Sequence, residues 1–162
     1  MMTAPPNPKT TLTLIWFMMM SMIGGYWFVR VMAKVSAQPN AGTALLAYLL
    51  LALAAVTYGV AWWWFRRLLA DISRDTDPLR LQQMSPEHRA ALTQRLRDGT
   101  IAGLGLVEIP TVYGLITVFI GSPLPGMFEG LALTTLAAFV MVRLKTYPIV
   151  FELLDRLALP TA

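Results

Sequence analysis

The chain has 162 residues, 56% of them apolar and only 14% charged, with a positive mean hydropathy of +0.58. That composition excludes both a water-solvated globule and a disordered chain, and describes a protein whose solvent is mostly lipid. The net charge of +4 comes from Lys and Arg in the connections and does not mark a nucleic-acid surface, and the lack of cysteine excludes disulfides, a thiolate nucleophile and a sulfur-ligated metal.

Residues 1–10, with Pro5, Pro6 and Pro8, are expected to be extended and mobile. The first apolar stretch, Leu12 to Val31, lacks a clean small-x-small cleavage site and is followed by Arg30 and Lys34, so it reads as a retained transmembrane helix over 11–33. Within it, Met18, Met19, Met20 and Met22 read as a flexible apolar face and not as soft metal ligands. The second stretch, Leu45 to Phe65, predicts a helix over 43–70 that continues to about Ile72, where Asp75, Asp77 and Pro78 break it. Trp62, Trp63 and Trp64 stand directly before Arg66 and Arg67, the composition of an interfacial anchor.

Residues 73–99 form a polar connection with structure of its own. Ser85, Pro86 and Glu87 supply a side-chain cap, a proline in the first turn and an acid at the positive end of the dipole, which predicts a helix over 86–97. Gly99 is placed to close it. His88, the only histidine, lies on this charged helix and reads as solvated.

A third crossing is expected over 100–121 and a fourth over 127–146, where Glu129 suits the N-terminal dipole. After Pro148, the residues Ile149, Val150, Leu153, Leu154 and Leu157 form a helical stripe, predicting an amphipathic helix over 148–159 at the membrane surface or against a neighbour. The expected fold is thus all-α, one transmembrane domain over 1–162: four crossings as a bundle of two hairpins, a short cytoplasmic helix and an amphipathic tail. A weak internal echo, Ser21 over Glu108 with Tyr26 over Tyr113, is consistent with two hairpins of the same orientation. Eleven Lys and Arg fall on one side of such a fold and only Arg30 and Lys34 on the other, so both termini are expected in the cytoplasm.

The candidate site is Glu108, a lone carboxyl in the uncharged span Thr100 to Gly121. An ionisable group at membrane depth costs at least about 2.5 kcal/mol and marks an ion path, a proton relay or a buried contact. At 100° per residue Gly99, Gly103, Pro110, Gly114 and Gly121 fall in one stripe of small or compact residues suited to close helix packing, and Glu108 points away from it, without a cation on its own helix. Pro110 cannot donate to the Leu106 carbonyl, which frees an acceptor near the carboxyl. Arg30, about 18 Å away along the helix axis, is not expected to neutralise Glu108. Without a cation, the carboxyl is expected to hold its proton at neutral pH.

Glu108-x4-Tyr113-Gly114-Leu115-Ile116 resembles the carboxylate-bearing helix of the proteolipid (c) subunits of rotary ATPases. The resemblance implies that Glu108 is the ion-binding acid, that Tyr113 stands beside it, that the acid faces outward from its own hairpin, and that the bound species is H+ or Na+. The whole chain resembles bacterial four-helix membrane proteins of similar size with a proteolipid-like third helix, which implies the bacterial inner (plasma) membrane. Two functions follow as expectations. One is a non-catalytic structural or assembly subunit, surrounded by lipid and bound to other membrane subunits or to itself, with Glu108 as a buried hydrogen-bonding group. The other is a proteolipid-like subunit that binds or moves H+ or Na+ at Glu108. Neither needs a further cofactor.

Overall fold

The structure, a computed structural model, describes residues 7–32, 41–121, 124 and 126–158. The proline-rich segment before Asn7, Lys34 and the connection around it, and the last four residues lie outside the described residues. The described chain is helical without strands: α1 (Pro8–Met32), α2 (Ala41–Asp75), α3 (Pro78–Gln83), α4 (Pro86–Phe119), α5 (Met127–Met141), a π-helical turn (Val142–Thr146) and α6 (Tyr147–Ala158). Among the described residues, four helical segments are long and apolar enough to cross a membrane: α1, α2, α4, and α5 continued through the π turn into α6. The protein has the architecture of a multi-pass membrane protein.

The third crossing is the centre of the molecule. In α4, 44% of the most apolar stretch is buried, against 17% in α1 and 22% in α2. Small residues explain why. A Cβ at Gly99 would lie 2.8 Å from Leu68 Cδ1, and one at Gly103 would lie 2.5 Å from Phe65 Cζ, so α2 approaches α4 closely at these two positions. Higher up, a Cβ at Gly114 would lie 3.0 Å from the Phe128 Cα, so α5 approaches there. Of the two expected hairpins, α4 with α5 packs as one, and the other is corrected. α1 packs on α4 and α5 while α2 packs on α4, and α1 and α2 share no substantial seam.

Gly99 also departs from its expected role. It does not close a separate helix, because α4 runs unbroken from Pro86 to Phe119. Ser85 Oγ accepts from the His88 amide at the start, Thr100 Oγ1 bonds back to the Leu96 carbonyl, and Trp64 Nε1 donates to the Gly99 carbonyl at 2.8 Å. The contact with α2 thus offsets the roughly 0.5–1 kcal/mol that glycine costs inside a helix. At 34 residues α4 is about 51 Å long, far more than the ~30 Å hydrocarbon core, so its first turns project beyond the membrane. Gly121, grouped by periodicity with the packing glycines, is instead the helix terminator: its φ of 67° is left-handed and its amide bonds to the Val118 carbonyl.

The fourth crossing and the tail form one continuous helix interrupted only in kind. Pro148 cannot donate to the Leu144 carbonyl and its ring crowds it. Just upstream the chain widens into the π turn, in which the Tyr147 amide bonds to the Val142 carbonyl. α6 then lies against the bundle with Val150, Leu153, Leu154 and Leu157 buried, while Ile149 stays 45% exposed.

Contacts fix which ends lie together. Lys9 pairs with Asp155 at 2.5 Å, the Tyr147 hydroxyl donates to the Leu12 carbonyl at 2.8 Å, and Arg95 pairs with Asp71 at 3.6 Å. The start of α1, the end of α2, the start of α4 and α6 therefore share one arginine-rich end. Arg143 is held there over the rings of Trp16, Tyr147 and Phe151, at 4.9 to 5.8 Å from their centroids. Arg30 lies at the opposite end, beside Glu129. Tyr147→Phe removes the donor that ties α6 to α1 and should lower stability by about 0.6–1.7 kcal/mol, the range of interhelical hydrogen bonds in lipid. Titration with denaturing detergent measures it, and an unchanged midpoint would show that the bond contributes nothing.

Candidate functional site

Glu108 lies about two-thirds of the way along α4, 8% exposed, on the side opposite the glycine stripe. That side is occupied by α1. The Tyr26 hydroxyl donates to Glu108 Oε1 at 3.0 Å, a contact between residues 82 positions apart. The carboxyl, turned away from the glycine stripe and outward from the α4–α5 hairpin, is joined to the first helix inside the bundle. Ile23, one turn earlier on α1, is 5% exposed, and Leu104 and Val107 on α4 are buried, so the pair sits in apolar surroundings.

Two further polar groups lie within one turn of Glu108 along α4. Thr111, one turn after Glu108 on α4, is fully buried, and its Oγ1 has no hydrogen-bond partner among the described residues. Pro110 is also buried within α4. It leaves the Leu106 carbonyl without its usual donor four residues on. One turn after Tyr26 on α1, Arg30 Nε stands 3.5 Å from Glu129 Oε1, an ionic contact without hydrogen-bond geometry. Glu129 lies in the first turn of α5. Polar groups thus run along the α1, α4 and α5 seam from Thr111 and Glu108 through Tyr26 to Arg30 and Glu129.

Tyr113 is not part of this group. It packs against Ala47, Ala54, Met127 and Leu131, a second apolar cluster between α2 and α5, so the tyrosine placed next to the acid by the proteolipid resemblance is corrected to Tyr26. The anchor residues lie at the arginine-rich end of α2. Trp62 and Trp63 are 58% and 53% exposed, Trp64 is docked on Gly99, and Arg67 stacks over Trp63 and pairs with Asp71. Arg66 is exposed.

The residues that sequence reasoning missed are Tyr26 as the partner of Glu108 and Thr111 as its buried neighbour. Tyr26 carried a signal, as a lone phenol in an apolar stretch at a depth comparable with Glu108. Thr111 carried its spacing of three from Glu108, which sets both on one helix face. Chemically, the arrangement can hold one proton between a carboxyl and a phenol. No protein-family model, no curated protein and no solved structure matches this chain.

Proposed function

We propose that the protein is a non-catalytic integral membrane subunit, a structural or assembly component of a larger membrane complex or of a homo-oligomer. The carrying observation is that the mid-span carboxyl of α4 is spent inside the chain, on Tyr26 of α1. A group that must load and release an ion needs access, and Glu108 is 8% exposed. A buried hydrogen bond between helices, by contrast, fixes which helix lies where. The broad apolar faces left by α1 and α2 are then available to lipid and to the helices of partner subunits. Under this reading the chain sits in a bacterial inner membrane with both termini on the cytoplasmic side, following the Lys and Arg bias.

The second reading, a proteolipid-like subunit that binds H+ or Na+ at Glu108, draws on one observation: Thr111 Oγ1, on the residue one turn after Glu108, is buried with no hydrogen-bond partner among the described residues. Labelling the purified protein with a hydrophobic carbodiimide across pH, with and without sodium, separates the two. The structural reading expects Glu108 to stay unlabelled at every pH, Glu108→Gln to assemble normally, and native mass measurement in mild detergent to find the 18.0 kDa chain in an oligomer or with partners. Labelling at Glu108 that rises and falls with pH and is blocked by sodium would establish the ion-binding role instead, and a solitary chain under all conditions would remove the assembly role.

A further inference from the structure

A groove of about 400 Å³ opens between α2 and α5, and Glu108 is not among its lining residues. Tyr58, Ala61, Trp62 and Phe65 form one wall, and Ala138 and Met141 belong to the other. Val107 of α4 is the floor, and Thr146 of the π turn lies at one end. The groove is not open from one membrane face to the other. At its upper end the Tyr58 hydroxyl reaches across to α5, with Thr135 Oγ1 at 2.7 Å and Thr134 Oγ1 at 3.0 Å. From Thr134 to Thr146 it runs about 18 Å at 1.5 Å per residue, close to the ~15 Å hydrocarbon depth of a single leaflet. It opens toward the arginine-rich end of the molecule.

Two exposed cations adjoin, in the chain, lining residues of that end. Arg66 follows Phe65 directly and lies one turn beyond Trp62, and Lys145 adjoins Thr146. Their neighbours are already committed: Arg67 to Asp71 and Trp63, and Arg143 to three aromatic rings. Neither Arg66 nor Lys145 has an ion pair among the described residues. An α-helix about 10 Å across would sweep on the order of 1,400 Å³ over this length, so the groove is too slender to seat one. A helix would also extend past the Tyr58 bridge into the other leaflet. A single hydrocarbon chain meets both limits.

We propose that this groove binds one anionic phospholipid from the leaflet at the arginine-rich end. One acyl chain lies between α2 and α5 beneath the Tyr58 bridge, and the phosphate is held by Arg66 and Lys145. The site is independent of the role of Glu108. Clusters of Lys and Arg at the membrane surface attract acidic headgroups with roughly a five-fold gain per cation, which sets the expected size of the effect.

The test uses the full chain in nanodiscs of phosphatidylcholine containing a small fraction of phosphatidylglycerol with brominated acyl chains, which quench tryptophan fluorescence on contact. Quenching should saturate at a low phosphatidylglycerol fraction, should require far more brominated phosphatidylcholine, and should lose its saturable part in Trp62→Phe. The double variant R66Q/K145Q should raise the half-saturating fraction on the order of 25-fold, and Ala138→Leu, which fills the groove, should abolish saturation. Native mass spectra should show one phosphatidylglycerol retained per chain. Quenching that grows in simple proportion to brominated lipid, equally for both headgroups, overturns the proposal in the wild-type protein alone, whether or not the variants fold. Retention of two chains together without lipid overturns it in favour of a dimer seam.

Discussion

Gly103→Leu is expected to unseat α2 from α4 and to be the most damaging single substitution in the bundle. A Cβ at this position already falls 2.5 Å from Phe65 Cζ and 2.8 and 2.9 Å from the two ε carbons of the ring. Phe65 is 4% exposed and belongs to the main core, so the ring has nowhere to swing without leaving the seam. Even alanine incurs an overpacking cost of about 1–3 kcal/mol, offset in part by the ~1 kcal/mol of helix propensity gained over glycine. Leucine adds three more carbons against the same ring, and its net cost should exceed that range. Unfolding in denaturing detergent, followed by circular dichroism, measures the loss. Gly59→Ala is the control: nothing lies within 4 Å of a Cβ there, so it should be neutral or stabilising by about 0.5–1 kcal/mol. Gly103→Leu with wild-type stability would mean that α2 does not approach α4 as described.

The second large effect is expected at Glu108. Glu108→Ala removes the acceptor for the Tyr26 hydroxyl and leaves a void among buried residues, a combination worth roughly 2–4 kcal/mol when the lost bond and the cavity are added. Glu108→Gln keeps the shape and an acceptor oxygen, so its cost should stay below about 1 kcal/mol. Tyr26→Phe should cost about 0.6–1.7 kcal/mol, with a coupling of similar size in the double-mutant cycle with Glu108→Ala. Strict additivity of Tyr26→Phe and Glu108→Ala would show that the two side chains do not interact. Because the cycle reads stability and not transport, it tests the α1 to α4 clasp whatever ion chemistry Glu108 has.

The four apolar spans were legible because partition into lipid depends on composition over about 20 residues, which the sequence states directly. The close-packing role of Gly99, Gly103 and Gly114 was legible too, since helical periodicity puts them on one stripe. What periodicity cannot state is which helix occupies each side of that stripe. It turned Glu108 away from the glycines, but only the tertiary fold brings Tyr26 of α1 to that side. Gly99 shows the same limit in another form. A glycine after a basic turn has the local chemistry of a helix end, yet it also permits the approach of Leu68, and the tertiary contact prevailed. Tyr113 was assigned by resemblance, although five residues from Glu108 is about 140° around the helix. That angle already separated the two side chains, and the structure packs Tyr113 with Met127 and Leu131.

The widened turn at Val142–Thr146 sets the rotational phase of everything after it. A π turn carries one surplus residue, which advances the following helix by about 100° relative to an uninterrupted α-helix. With that advance, Val150, Leu153, Leu154 and Leu157 meet the bundle while Glu152 and Asp155 look outward. Had the spacing between Met141 and Tyr147 been one residue shorter, the dry flank of the last helix would point elsewhere, and Asp155 would leave the azimuth at which it meets Lys9. Chain length across those few positions, as much as their chemistry, therefore decides how the C-terminal helix closes the arginine-rich end.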